Sequence, residues 1–197
     1  MRYWNQLNYR HVPYHTHTKM DVPESVKLRN VARSGCGLCS ACMMVELLTN
    51  YTLDVVDCVK IAEECEAGHG LGTDMTVLGP VLAKLFGLVY AATDDVEHVK
   101  RHLQCGGKVI VRLGVPEGQE IGLFTNWEHF VLLDSTDGEE FCIIDPSYRE
   151  GKFDIPERVG KVNTVNAPYL YCDVDVLHRE TVSHTAKYYL FSRKKNG

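Results

Sequence analysis

The chain has 197 residues, 45% of them hydrophobic, with 21 basic and 26 acidic side chains and a formal charge of −5. That is enough chain for one hydrophobic core, and the cations are scattered apart from Arg193-Lys194-Lys195, which argues against a nucleic-acid partner. No apolar run approaches the roughly 18–20 residues of a membrane span, and the start Met1-Arg2-Tyr3-Trp4-Asn5-Gln6 lacks an export signal, so a soluble, cytoplasmic protein with no membrane partner is expected.

Residues 1–35 carry many aromatics and histidines without a sustained period, as expected of an irregular arm packed on the domain. From Cys36 to Leu48 the apolar residues Leu38, Ala41, Cys42, Val45 and Leu48 recur at helical steps. They predict a helix with one buried stripe, started by Ser34-Gly35 and stopped by Thr49-Asn50. A second helix is expected over 55–65, capped by Asp54 and broken at Ala67-Gly68. The glycine-rich stretch Gly68-His69-Gly70-Leu71-Gly72 lacks the Lys-Ser/Thr ending of a phosphate-cradling loop, which discounts nucleotide binding. After it, Thr73 or Asp74 caps a third helix running to Phe86 and stopped by Gly87, and a fourth covers 95–103, closed by Gly106-Gly107.

The texture then changes. Val109-Ile110-Val111, Phe130–Leu133 and Phe141-Cys142-Ile143-Ile144 read as buried strands, the last two joined by the turn Thr136-Asp137-Gly138 as an antiparallel hairpin. Residues 146–185, with Pro146, Pro156 and Pro168, read as an irregular excursion before a closing strand at Tyr188-Tyr189-Leu190-Phe191. Helices first and strands second predict one α+β domain, with an arm over 1–35, a helical half over 36–105 and a sheet half over 106–197.

Eight cysteines, at 36, 39, 42, 58, 65, 105, 142 and 172, are the unusual feature; without an export signal they read as reduced thiols rather than a disulfide scaffold. Cys36 lies between Gly35 and Gly37 where a loop enters a helix. There the unpaired N–H groups and the helix dipole stabilise a thiolate, and small neighbours admit a substrate carbonyl. The alternative is a tight turn around a small buried thiol. A thiol nucleophile needs an imidazole as base, and the imidazole needs an acceptor to hold its ring. His129 opens the strand His129-Phe130-Val131-Leu132-Leu133, and Asp145 follows the partner strand. Both lie about eight residues from the turn, so they are expected as cross-strand neighbours; the alternative is a strand-edge histidine and a turn-starting Asp-Pro.

The order of these features resembles the bacteriocin-processing-peptidase-like branch of the papain-like cysteine peptidases. Gly-Cys-Gly opens a helix, Gly-Thr opens a later one, and Gly-Gly-Lys-Val-Ile-Val, His-Phe-Val-Leu-Leu and Ile-Asp-Pro follow. The arm Trp4-Asn5-Gln6-Leu7-Asn8-Tyr9-Arg10 resembles the Asn-Gln segment that precedes the cysteine in that group. The resemblance implies a papain-like fold, Cys36 as nucleophile, His129 as base and acid, Asp145 as the orienting residue and Gln6 in the oxyanion hole, with Asn30 as the alternative amide. It departs at Leu38-Cys39, where the group usually has Pro-Thr, and at Glu128, where it usually has glycine. Gly35, Gly37, Trp127 and Glu128 are expected to line the cleft, Trp127 being either a wall or a core aromatic.

Cys36, Cys39 and Cys42 have the gaps of an iron–sulfur run but lack a fourth ligand at the right distance, and three ligands along one helix drift round its axis, so no metal or other cofactor is expected. His11, His15 and His17 are candidates only for adventitious metal binding, and His69 for a place near the cleft. The expected activity is cleavage of a peptide or small amide through a thioester on Cys36. The alternatives are acyl transfer to an amine by the same residues and a non-catalytic binding domain; oligomeric state is not encoded in these patterns.

Overall fold

The computed structural model describes residues 1–14, 29–69, 72–182 and 186–194, with the side chain of His69 left out. After a 3-10 turn at Gln6–Asn8, the chain forms α1 (Val31–Ser34), α2 (Cys36–Leu48) and α3 (Val55–Glu64). There follow β1 (Gly68–His69), β2 (Gly72–Thr73), α4 (Met75–Leu85), β3 (Leu88–Thr93) and α5 (Val96–Gln104). The second half is β4 (Lys108–Leu113), β5 (His129–Thr136), β6 (Glu140–Ile144), β7 (Tyr169–Asp173), α6 (Val174–Arg179) and β8 (Tyr188–Arg193). No helix among the described residues is long and apolar enough to cross a membrane.

The helix starts follow side-chain capping: Asp54, Asp74 and Asp95 accept from the N–H groups of Val56, Thr76 and Glu97 at 2.8, 2.8 and 2.9 Å. Two helices end where a glycine with positive φ takes the chain away, Gly87 at 66° after α4 and Gly106 at 83° after α5. The expected helix boundaries therefore agree with the structure to within a residue or so.

The main sheet is antiparallel throughout, in the order β3-β8-β4-β5-β6-β7. This is the mixed helix and antiparallel-sheet class that the sequence order predicts. Strand alternation divides the core in two. Ile110, Phe130, Leu132, Ile144, Tyr189 and Phe191 join the helices α2 to α4 on one side. Their neighbours Val109, Val111, Val131, Leu133, Ile143 and Leu190 join α5, α6, Phe124 and Phe153 on the other. Covering both faces explains why β4 and β5 are continuous apolar runs rather than alternating ones.

The arm packs on the domain as expected: Trp4 and Tyr14 are buried, and the Trp4 indole donates to Glu46 on α2 at 3.1 Å. Two elements depart from the sequence expectation. β3, an edge strand with Val89, Ala91 and Ala92 exposed, carries too weak an apolar pattern to be read from the sequence. The excursion at 146–185 contains β7 and α6, whose Asp173 cap accepts from Val176 N–H at 2.9 Å, because β6 offers β7 a full ladder from Glu140 to Ile144.

Ile110 pairs with Leu132 and Tyr189 and is fully buried at the middle of the sheet. Ile110→Ala should lower the unfolding free energy by about 2–5 kcal/mol, read as a reduced urea midpoint with an unchanged slope.

Candidate active site

The first turn of α2 is held against the start of β5 by close packing. A Cβ on Gly35 would lie 2.5 Å from Val31 Cγ1 and 2.6 Å from its carbonyl oxygen, and one on Gly37 would lie 3.0 Å from Thr73 Cβ and 3.3 Å from the Phe130 ring. Both glycines are buried. Their lack of a side chain thus serves the packing of α1, α2, β2 and β5. The packing brings Cys36, part-exposed at the first position of α2, to the imidazole of His129 and to the backbone N–H groups of Phe130 and Gly37. Burial pushes the Cys36 thiol up, but the hydrogen bond and charge of His129 with those two N–H groups outweigh it and bring the thiol below its ordinary range.

The imidazole is fixed from its other side. His129 Nε2 lies 2.8 Å from Asp145 Oδ1 and 3.0 Å from Ser147 Oγ. An ionised carboxylate only accepts, so Nε2 carries the proton toward Asp145 and Nδ1 is left for the thiol. Burial lowers the proton affinity of His129, and Asp145 more than restores it, by charge and by hydrogen bond.

Asp145 is 0% exposed and fully satisfied. Its Oδ1 also accepts from Ser147 N–H at 2.8 Å and from Ser147 Oγ at 3.0 Å, while Oδ2 accepts from the ammonium of Lys152. Burial would raise its carboxyl; the charges of Lys152 and His129 hold it well below the usual carboxylate range. The geometry that joins His129 to Asp145 differs from direct cross-strand opposition. Near the turn Ser135 pairs with Cys142, a register that, continued, would set Asp145 opposite Leu132 on the other face from His129. The irregularity between Leu133 and Ser135 shifts the pairing by one, to Leu132 with Ile144. Asp145 then falls opposite Val131, on the face of His129 and diagonal to it, a reach that side chains span.

The arm binds this corner to α1. Tyr3 Oη donates to Asp145 O at 2.6 Å, Gln6 N–H to Pro146 O at 2.7 Å, and Asn5 Nδ2 to Tyr148 O at 2.7 Å. Gln6 is buried, and its Nε2 donates to Ala32 O at 2.9 Å in the helix that leads into Cys36; its Oε1 has no partner. Asn30 sits at the N-cap of α1, where its side-chain oxygen accepts from Arg33 N–H at 3.2 Å, so its carboxamide is engaged as a cap.

Trp127 is 78% exposed, which rules out the core alternative. Glu128, next to His129 in the chain, forms an ion pair with Arg112, accepting from Nε at 3.1 Å and also from the terminal nitrogen. Behind Cys36, burial pushes the Cys39 and Cys42 thiols well up, consistent with packing roles. Among the described residues no three His, Cys, Asp or Glu side chains are grouped to hold a metal ion. His15, His17 and the side chain of His69 lie outside the described residues.

No protein-family model and no curated protein matches the sequence. Among solved structures, the chain superposes on a candidate C39-like peptidase from Bacillus anthracis with a TM-score of 0.57, over 94% of this chain and 96% of that one, at 15% identity. The likeness is one of fold. Sequence reasoning missed two side chains of this corner. Ser147 was available from the Asp-Pro-Ser turn pattern, whereas Lys152, in the charged run Arg149-Glu150-Gly151-Lys152, carries no signal that separates it from a solvated lysine.

Because the folded Asp145 carboxyl is depressed, its ionised form adds stability that is complete above its unfolded value, about 3.9, and is lost as the pH falls through the folded one. The urea midpoint should therefore drop below about pH 4, and in Asp145→Asn the slope over that range should flatten; an unchanged slope would show that Asp145 does not carry it.

Proposed function

We propose that the protein is a papain-like cysteine peptidase that cleaves a peptide or small amide bond through a thioester on Cys36, with His129 as base and acid and Asp145 as the residue that orients the imidazole. One observation carries the reading. Of the thiols with a resolved shift, Cys36 alone is brought down, by a histidine that a buried carboxylate holds, while those of Cys39, Cys42, Cys65, Cys142 and Cys172 are pushed up, with burial the largest cause in each case. The C39-like fold supports the same class of chemistry.

In this mechanism the Cys36 thiolate adds to the scissile carbonyl carbon, and the carbonyl π electrons move to oxygen. Collapse of the tetrahedral adduct expels the amine, which takes the proton from the His129 imidazolium, leaving an acyl thioester. Water, deprotonated by His129, then adds to the thioester and releases the carboxylic acid and the thiolate. The oxyanion would form beside the start of α2, where backbone N–H groups point outward and the helix dipole is favourable. Gln6 is assigned as the side-chain donor there: one Nε2 proton goes to Ala32 O and orients the amide, which leaves the second for the oxyanion. Exposed Trp127, two residues before His129, offers an aromatic surface for the substrate chain. The resemblance to the bacteriocin-processing branch and a reducing, cytoplasmic setting for eight unpaired thiols belong to the same proposal.

Cys105 is exposed and open to the label, so the test uses a Cys105→Ser background. There, Cys36→Ala should abolish modification by iodoacetamide at near-neutral pH and reduce hydrolysis of a responsive peptide or amide substrate by more than about 10³-fold. Retained label on Cys39 or Cys42, or undiminished hydrolysis, would sink the assignment. Gln6→Ala should cost about 10²–10³-fold in kcat with the Cys36 labelling rate preserved, which separates an oxyanion donor from a group that activates the thiol.

A further inference from the structure

Lys152 has no part in the mechanism above, yet it is among the most constrained side chains in the molecule. Its side chain is 5% exposed, and its ammonium donates to Asp145 Oδ2 and, at 2.8 Å, to Ser147 Oγ. The same ammonium lies 5.9 Å from the Phe124 ring centroid and 5.7 Å from that of Phe153. Arg158 clamps the backbone beneath it by donating to Lys152 O at 3.3 Å. A buried lysine is costly unless paired, and a loop that needed only to cover the sheet would not place one there.

We propose that Lys152 is a positioning residue: by binding Asp145 Oδ2 and Ser147 Oγ it locks the carboxylate with Oδ1 on His129, and its charge sets the pH window in which the Cys36–His129 pair exists as thiolate and imidazolium. The inference rests on the reading of Cys36 and His129 as nucleophile and base. Two connections carry it. Rotation of the Asp145 carboxylate would break the bond from Lys152, so the ammonium fixes which oxygen faces Nε2. Ser147 Oγ, which accepts from Lys152, itself lies 3.0 Å from both His129 Nε2 and Asp145 Oδ1, so the lysine reaches the imidazole by a second route.

His129 faces Asp145 after β6, Cys36 on α2 and, through Asp145, Lys152 in the loop after it. Lys152 faces Asp145, with Arg158 and Arg149 on its own loop as like charges. Tyr3 from the arm meets the backbone carbonyl of Asp145, and Glu128 beside His129 is directed to Arg112. A buried cation next to the triad favours loss of every proton there. Removing it must make both the thiol and the imidazolium hold their protons to higher pH, so both limbs of a bell-shaped profile move in the alkaline direction.

The experiment is the pH dependence of alkylation of Cys36 by iodoacetate on the Cys105→Ser background; the anion reacts fastest with a thiolate beside an imidazolium, so the rate falls on both sides of the ion-pair window. It reads the ion pair without a substrate and so separates this inference from the peptidase reading. A Cys36 that alkylates no faster than an ordinary thiol overturns both, whereas absent hydrolysis with a displaced alkylation profile overturns only the peptidase reading. Lys152→Gln keeps a donor for Asp145 Oδ2 and loses the charge; both limbs should move up by about half a pH unit or more. Lys152→Arg keeps the charge and should leave the limbs in place. If Lys152→Gln does not fold, Asp145→Asn/Lys152→Gln, which lacks both buried charges, is compared with Asp145→Asn, and the same displacement is expected. Limbs that stay put in the neutral variant, or move equally in Lys152→Arg, overturn the proposal, since loss of packing alone lowers the rate without moving them.

Discussion

A carboxylate with no access to water is the constraint around which this corner of the molecule is built. Ionised, Asp145 would be intolerable in a protein interior without donors on both oxygens. The donors come from three places: His129 on β5, Ser147 in the turn that follows β6, and Lys152 five residues further on. Satisfying one buried group therefore ties a strand, a turn and a loop to a common point. The arm adds a fourth tie, through Tyr3 to the carbonyl of the same residue. The imidazole at that point is aimed as a by-product of meeting the needs of its acceptor.

The other half of the site depends on contact distance rather than charge. The α2 helix enters the space above β5 because Gly35 and Gly37 let the backbone approach where any Cβ would overlap Val31 or crowd Thr73 and Phe130. Ser40 Oγ, one turn on, donates to Phe130 O at 3.5 Å and holds the helix to the same strand. Tyr14 Oη and Thr73 Oγ1, 2.9 Å apart, secure the far side of the glycine contact. The thiol is thus brought to its histidine by apolar packing, and the histidine to its acid by electrostatics. Gln6 joins the two regions, with its backbone on Pro146 and its side chain on Ala32.

The parts of this arrangement that were legible in the sequence are those written in local chemistry. Asp54, Asp74 and Asp95 announce helix starts because a capping carboxylate acts within its own turn. Cys36 announced itself by its glycines and helix entry, and His129 as a polar residue opening an apolar strand. The parts that were hidden depend on partners far along the chain. β7 pairs only because β6 leaves an open edge, and Trp4 is core only because Glu46 and α2 receive it. Symmetric counting from the turn set Asp145 directly opposite His129, and the structure makes the two diagonal through an irregularity at Asp134 that no composition marks. Lys152 was the least legible, because what distinguishes a buried lysine from a solvated one is the carboxylate that awaits it.

Why an ammonium should sit behind the acid, rather than another neutral donor, follows from the charge states that the site would pass through in the proposed mechanism. In the resting ion pair, thiolate, imidazolium, carboxylate and ammonium sum to zero. On the proposed acylation the thiolate would be consumed and the imidazole would have given up its proton, so the thiolate and imidazolium charges would vanish together and Asp145 would remain with Lys152. With a neutral donor in place of the lysine, the resting site would carry one net negative charge and the acyl-enzyme would leave Asp145 as an uncompensated buried anion. That anion would hold the imidazolium proton back when it must pass to the leaving amine. The buried pair keeps the charge of Asp145 balanced in both states, so the carboxylate can orient the imidazole without trapping its proton.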